Sequence, residues 1–355
     1  MSLLNNGVFI AILAHTLIGV SLIWDKVLLR RPQTSDVVNY VFWLGAMSVL
    51  GLCLLPFGFR MPALSLAALA FGAGIVHLIA NYFYYSTLKA GEASQTLAIM
   101  GGFSPLATFL IGLALLNHPF GGFSGWGFGL MVAGGFLMFF SEPIDVKRIL
   151  AFTLIAAAAF GLTNVLQKAA FDQTNFVTAY IFFTVGTFVG ALFFLVKRSW
   201  RERIFRRSEE ASPKSKFWYF ANRFISGVGS FLIFFAISRA HPAIVAAISG
   251  LRYVIIFGGA YLITKYYPRW LKEDFGKWPL VSKSIATGLI VAGLVLVGLK
   301  SGGAASEAAR GVAPAIQTPA ILERDYADVI GSHSFMHACV LRSSTSSCNN
   351  GSLES

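Results

Sequence analysis

Ten long apolar runs separated by short polar turns constrain this chain more than any other feature of its sequence. A helix that crosses a bilayer needs roughly 20 mostly apolar residues, and most of the runs reach that length. They cover residues 8–29, 37–57, 64–88, 93–116, 123–140, 148–171, 175–196, 217–239, 242–265 and 282–299. Only 12% of the 355 residues are charged, against about 25% in soluble domains. The pattern therefore predicts an all-α membrane protein with ten transmembrane helices.

The two halves of the chain carry related patterns in the same order. The spacing G-x-[ST]-x-x-x-x-K ends at Lys26 in the first half and at Lys168 in the second. The turn LKAGEAS after the third run has its counterpart in SRAHPAI after the eighth, and GLMVAG late in the first half returns as GLIVAG late in the second. Such repetition indicates a duplicated unit. We predict two five-helix repeats, 1–146 and 147–300, followed by a disordered tail over 301–355.

The odd number of helices in each repeat fixes how the repeats are related. A second copy that follows five helices must cross the membrane in the opposite direction, which gives an inverted repeat. Lysine and arginine concentrate in the loops after runs one, three, five, seven and nine, so the positive-inside rule places those loops in the cytoplasm. The net charge of +12 is thereby explained by membrane anchoring rather than by nucleic-acid binding. The expected location is the cell (inner) membrane, crossed many times.

Arg252 is the strongest candidate for a substrate contact. It lies near the middle of the ninth run, where a charge costs at least about 2.5–3.5 kcal/mol. The carboxylates ahead of the tail all fall at predicted helix ends or in loops, so none is expected at the same depth. We therefore predict that Arg252, beside Tyr253, binds an anionic ligand. Satisfaction of the guanidinium by carbonyl groups and water is the alternative.

Polar residues inside the first, third and sixth runs are further candidates for substrate contacts. His77 and Asn81 are one helical turn apart and are followed by Tyr85, so these side chains share a face. His15 and Asn164 lie inside the first and sixth runs. For each of them, a packed and hydrogen-bonded position in the core is the alternative.

Residues near the ends of runs one and six are candidates for gates. Lys26 and Lys168 occupy equivalent positions in the repeat, so inversion would place them at opposite faces of the membrane, with Trp24 next to Lys26. The alternative is that these long cationic side chains extend to the interface, and we expect Arg223 to do the same.

The sequence contains no pattern for catalysis or for a bound cofactor. Its His, Cys and acidic residues have no metal-ligand spacing, and no P-loop, dinucleotide-binding or G-x-S-x-G motif occurs in a suitable context. We therefore predict neither an enzyme nor a metal or cofactor site. The expected partners are a small-molecule substrate and the lipid bilayer, and the sequence leaves the oligomeric state open.

Over residues 1 to about 300 the chain resembles the EamA-type drug/metabolite transporter superfamily. The resemblance is carried by the two five-helix halves, by Trp24 and Lys26 at the end of the first run, and by the turn GEAS before a run with a central Pro105. A glycine-rich last run in each half adds to it. The chain departs from the family where NHPF at 117–120 replaces an E-R-L-like turn.

The resemblance implies a secondary transporter that moves a small organic metabolite through a cavity between the halves by alternating access. Arg252 makes an anionic or zwitterionic substrate the expectation. A flippase of a lipid-linked substrate with the same fold is the alternative, and a lateral opening between helices would favour it. An intramembrane enzyme that uses His15 or His77 would need a reactive partner at matching depth.

Overall fold

The computed structural model describes residues 6–30, 36–90, 93–116, 123–140, 147–210 and 212–252, together with separate positions between 255 and 296. The regular structure of these residues is helical throughout. The α-helices in the continuous ranges are α1 (Gly7–Arg30), α2 (Val37–Met47), α3 (Leu64–Ala90), α4 (Ala93–Leu116), α5 (Phe123–Phe140), α6 (Lys147–Gln173), α7 (Phe176–Leu192), α8 (Arg198–Glu210), α9 (Pro213–Arg239) and α10 (Pro242–Ala247).

Six helical segments within the described residues are long and apolar enough to cross a membrane. They are Gly7–Asp25, Val37–Leu54, Leu64–Ala90, Leu150–Gln173, Phe176–Leu195 and Pro213–Arg239. Helices α4 and α5 contribute shorter apolar stretches, Met100–Leu116 and Gly125–Leu137. The prediction of an all-helical protein with several helices long and apolar enough to span a membrane is therefore confirmed for the described residues, and the count of ten spans and the inverted repeat stay predictions.

Helix α2 changes its geometry halfway through the second apolar run. After Met47 the chain continues as a 3-10 helix over Ser48–Leu54, and similar short segments follow α7 at Phe193–Leu195 and α10 at Ile248–Gly250. The sequence predicts the span but not the change, because a run that is apolar on all sides carries no periodicity that distinguishes one helix type from another.

Helix α8 replaces a basic loop that the sequence predicts between runs seven and eight, so that prediction is wrong. Arg198 and Glu202 pair across one turn at 2.8 Å, Ile204 is fully buried, and Arg203 donates through Nε to Asp36 at 2.9 Å. Charged residues dominate the segment and obscure its apolar face. The contact with Asp36 attaches α8 to the beginning of α2.

Helices from the two predicted repeats pack against each other throughout the bundle. Helix α3 lies along α6 and α7, and α1 lies along α9. At the α3–α7 contact a Cβ atom on Gly74 would lie 2.1 Å from the carbonyl oxygen of Phe183, and one on Gly186 would lie 2.0 Å from that of Phe71. The two backbones therefore touch, as small residues allow in membrane bundles. The predicted tail, 301–355, lies outside the described residues.

Candidate functional site

A cavity of about 460 Å³ lies among the helices, a volume within the range of about 300–1,000 Å³ typical of small-molecule sites. Polar side chains from several helices line it, among them His15, His77, Asn81, Tyr84, Tyr85, Ser104, Asn164, Arg223 and Arg252. Among the described residues that form its wall there is no aspartate or glutamate. The charged groups on this wall are therefore cationic.

The cavity gathers most of the residues that the sequence predicts as substrate contacts. Those that line it are Arg252, His77, Asn81, Tyr85, His15 and Asn164. They come from α1, α3, α6 and the segment after α10, which are far apart in the chain. Tyr253 lies outside the described residues. Contact of this set with a substrate stays a prediction.

A histidine holds Arg252 by accepting its hydrogen bond. The Nε of Arg252 donates to Nδ1 of His15 at 2.9 Å, and Nε2 of His15 lies 2.8 Å from the carbonyl oxygen of Val245. Because a carbonyl oxygen can only accept, Nε2 carries the proton and Nδ1 keeps the lone pair that accepts from Arg252. The imidazole in this arrangement is neutral, so the contact orients the guanidinium without cancelling its charge.

His77 lies in the middle of α3 among aromatic rings. The ring centroids of Phe160, Phe183 and Phe234 are 5.6, 5.2 and 5.7 Å from that of the imidazole. Asn81 donates to the carbonyl oxygen of His77 at 2.8 Å. His77 lines the cavity, and its Nδ1 is buried without a hydrogen-bond partner among the described residues. These aromatic neighbours offer no reactive partner for catalysis by His77.

Asp25 and Arg223 form a buried ion pair near the connection between α1 and α2. Asp25 is fully buried and Arg223 is 4% exposed. The carboxylate also accepts hydrogen bonds from the hydroxyl groups of Tyr40 and Tyr85, the latter at 3.0 Å, and from the side-chain amide of Asn222. The buried carboxylate therefore has both a counter-charge and hydrogen-bond donors, without which its burial would be costly.

Three tyrosine rings enclose the guanidinium of Arg223. Its central carbon lies 5.0 Å from the ring centroid of Tyr40, 5.5 Å from that of Tyr85 and 5.9 Å from that of Tyr219, within the range of cation–π attraction. Nη1 of Arg223 also donates to the Tyr85 hydroxyl at 2.8 Å. The cluster joins α1, α2, α3 and α9 at the wall of the cavity.

One sequence-based prediction is wrong at this cluster, because Arg223 pairs with Asp25 in the interior and does not extend to the interface. Asp25 lies at the end of the first candidate span, and its burial there was not predicted. The two residues are 198 positions apart, and only the packing of α1 along α9 brings them together. The sequence gives one indication of a polar cluster. Tyr40, Tyr85 and Tyr219 each lie near one end of an apolar run, the second, third and eighth.

Two of the predicted gate residues, Lys168 and Trp24, contact side chains that are not part of this cluster. Lys168 pairs with Asp172 one turn later at 2.6 Å, and Trp24 stacks on Trp218 with 5.2 Å between ring centroids. Neither Lys168 nor Trp24 is among the described residues that line the cavity. The side chain of Lys26 lies outside the described residues, and a gating role for these residues stays a prediction.

Gln167 occupies the position in the second half that Asp25 occupies in the first. Each residue immediately precedes the lysine of the G-x-[ST]-x-x-x-x-K pattern. Gln167 is fully buried, and neither its Oε1 nor its Nε2 has a hydrogen-bond partner among the described residues. The two ends of the predicted repeat therefore differ: one holds an ion pair, and the other holds an amide without a partner in the described part of the chain.

We expect Gln167→Met to stabilise the protein. A buried amide without partners costs about 1–3 kcal/mol, and methionine fills a similar volume without polar atoms. The midpoint of thermal unfolding in detergent should rise by a few degrees. Gln173→Met is the matched control, because this exposed amide donates to the carbonyl oxygen of Ala169 at 3.0 Å. A lower midpoint for Gln167→Met than for the control would contradict the assignment.

Comparison with known proteins identifies a fold and no family. No family model matches the chain, and no curated protein matches it. A solved structure described only as "Crystal structure of protein" superposes with a TM-score of 0.57 over 83% of this chain and 96% of its own, at 15% sequence identity. The likeness is one of fold. Membership of the EamA-type superfamily stays a prediction.

Proposed function

We propose that this protein is a secondary transporter that moves a small organic anion or zwitterion across the cell (inner) membrane by alternating access. The main support is Arg252, whose guanidinium is held at the cavity wall by a neutral imidazole. A planar guanidinium binds carboxylate and phosphate groups through paired hydrogen bonds. Ionisable residues within membrane-spanning segments commonly mark the path of a substrate.

The helix packing supports two inverted repeats, 1–146 and 147–300, around this cavity. In the predicted duplication α1 corresponds to α6, α2 to α7 and α3 to α9. If the repeats are related by a two-fold axis, each contact between two helices must occur again between the two helices that correspond to them. The contact of α3 with α6 corresponds to that of α9 with α1, and both pairs pack closely. Helix α2 packs on α7, the helix that corresponds to it. Ten spans would be completed by α4, α5 and the ninth and tenth runs.

The other polar groups on the wall suit a ligand with hydrogen-bonding groups besides its charge. The imidazole of His77, which lines the cavity, can accept or donate according to its tautomer. Arg223 also lines the cavity, but its guanidinium is paired with Asp25, so Arg252 is the cation that we assign to the ligand. Asn81 and Asn164 would complete a site that recognises the polar group of an organic ligand rather than a bare ion.

We expect Arg252→Gln to abolish substrate binding and transport. Purified protein is first screened by thermal unfolding against amino acids, sugar phosphates and nucleotides, since a ligand at about 100 times its Kd stabilises the folded state by about 2.7 kcal/mol. The compounds that raise the unfolding midpoint should be anions or zwitterions. Arg252→Gln should lose both that shift and the exchange of the same compound across vesicle membranes.

Arg201→Gln is the matched control for this experiment. It removes the same charge from the exposed surface of α8, away from the cavity, and should transport as well as the wild type. Arg252→Lys keeps the charge but not the planar fork, so partial binding is expected. Wild-type exchange by a folded Arg252→Gln variant would contradict the proposed function.

A further inference from the structure

The cavity is bounded on one side by α2 and α9, which touch near their beginnings. The hydroxyl group of Tyr219 donates to the carbonyl oxygen of Tyr40 at 2.7 Å. The rings of Trp43 and Phe220 pack edge to face with 5.7 Å between centroids. These contacts close the cavity next to the Asp25–Arg223 ion pair.

Further along the same two helices, the cavity reaches the outer surface of the bundle. Residues of α9 and of the 3-10 helix after α2 line it there and define the portal: Leu50, Cys53, Leu54, Phe224, Gly227 and Val228. All of them except the half-buried Leu54 are exposed. Leu50 is 53% exposed and Phe224 is 62% exposed. Apolar side chains exposed on a membrane-spanning segment face lipid, so the portal opens toward the bilayer rather than toward either aqueous phase.

The 3-10 helix after α2 shapes one side of the portal. Side chains three residues apart eclipse one another in a 3-10 helix, so its residues fall into straight rows. Leu50 and Cys53 form one row, and Ser48, Gly51 and Leu54 form another. Both rows line the cavity, which gives it a continuous wall from the polar interior to the lipid-facing edge.

The chemistry of the cavity changes from its interior to the portal. The inner wall carries the guanidinium group of Arg252 and the imidazole of His77, together with Arg223, which is paired with Asp25. The portal side chains are apolar, apart from the thiol of Cys53. A ligand complementary to both ends has an anionic head group and an apolar chain.

We propose that the substrate is an amphiphilic anion, and that it enters from the bilayer through the portal. Its carboxylate or phosphate group would bind at Arg252 while its chain stays in the portal between α9 and the 3-10 helix after α2, in contact with lipid. This inference rests on the proposed transport of an anion and specifies the class of that anion. Because a long chain partitions into the bilayer, the membrane concentrates such a ligand at the portal, and apparent affinity should rise with chain length.

Gly227 allows the portal to be blocked without disturbing the packing. A Cβ atom on Gly227 would meet no heavy atom within 4 Å, so a leucine there extends into open space at the portal. Gly72 on α3 also has no heavy atom within 4 Å of such a Cβ, and it is not among the described residues that line the cavity. Gly72→Leu is therefore the matched control, since both changes raise helix propensity equally.

The experiment measures ligand binding to the full chain in phosphatidylcholine nanodiscs, from the dependence of the unfolding midpoint on ligand concentration. The probes are dodecyl phosphate and dodecanoate, their short-chain analogues butyl phosphate and butanoate, and uncharged dodecanol. We expect each long-chain anion to bind the wild type about tenfold or more tightly than its short-chain analogue. Dodecanol should give the same small shift in the wild type and in Arg252→Gln.

The variants separate the portal from the anion site. Gly227→Leu should weaken binding of the long-chain anions about tenfold and leave the short-chain anions unchanged, whereas Gly72→Leu should match the wild type for all probes. Equal affinity for long and short chains, or unchanged long-chain binding by Gly227→Leu, would overturn the portal while leaving anion transport intact. Undiminished binding of every anion by Arg252→Gln would instead overturn the proposed function.

Discussion

Arg223→Met is expected to destabilise the folded protein by about 3–5 kcal/mol, because it leaves the Asp25 carboxylate buried without a counter-charge. Asp25 is fully buried, and the hydrogen bonds from Tyr40, Tyr85 and Asn222 supply dipoles but no positive charge. The midpoint of thermal unfolding in detergent should fall by on the order of 10 °C. This is the largest effect that we expect from a single side-chain replacement in the bundle.

The double variant Asp25→Asn/Arg223→Met separates the loss of the charge pair from the loss of packing. It removes the uncompensated charge, so it should be more stable than Arg223→Met alone, and the double-mutant cycle should show strong coupling. Arg239→Met is the control on the same helix, since this exposed guanidinium lies over Phe235 at 4.5 Å and should contribute about 0.5–1 kcal/mol. If the changes in the free energy of unfolding caused by the Asp25 and Arg223 replacements are simply additive, the two side chains do not form a stabilising ion pair.

Alanine at Gly186 is expected to destabilise the protein by about 3 kcal/mol or more, whereas alanine at Gly72 should be neutral or slightly stabilising. The added Cβ at Gly186 would lie 2.0 Å from the carbonyl oxygen of Phe71. That oxygen belongs to the backbone of α3, so the clash is relieved only by separating α3 from α7. At Gly72 the added Cβ meets no heavy atom within 4 Å.

Thermal unfolding of the two variants side by side measures this difference. Gly74→Ala tests the same contact from the opposite helix, because its Cβ would lie 2.1 Å from the carbonyl oxygen of Phe183, and it should behave like Gly186→Ala. Equal unfolding midpoints for Gly186→Ala and Gly72→Ala would contradict the close contact between the backbones of α3 and α7.

The positions of the helices could be predicted from the sequence because membrane insertion imposes a local requirement for long apolar runs. Helices α4 and α5 coincide with the predicted runs 93–116 and 123–140. The 3-10 helix after α2 and the amphipathic helix α8 were not predictable in this way. In the first the apolar residues surround the helix on every side, and in the second the charged residues hide a narrow apolar face.

The residues of the candidate site were predictable one by one but not as a set of contacts. Arg252, His77 and Asn81 are conspicuous because polar groups are rare inside apolar runs. The hydrogen bond between Arg252 and His15 depends on how α1 packs against the segment after α10. That packing cannot be predicted from a local sequence pattern. The pairing of Asp25 with Arg223 was missed for the same reason, because it follows from the packing of α1 along α9.

The 3-10 segment also explains how a short second span reaches across the hydrocarbon layer. Val37–Leu54 contains 18 residues, and as a continuous α-helix it would measure about 27 Å, less than the roughly 30 Å thickness of that layer. A 3-10 helix rises about 2.0 Å per residue, so the combination of α2 with its 3-10 extension reaches about 30 Å. Hydrophobic length and bilayer thickness therefore agree without local thinning of the lipid.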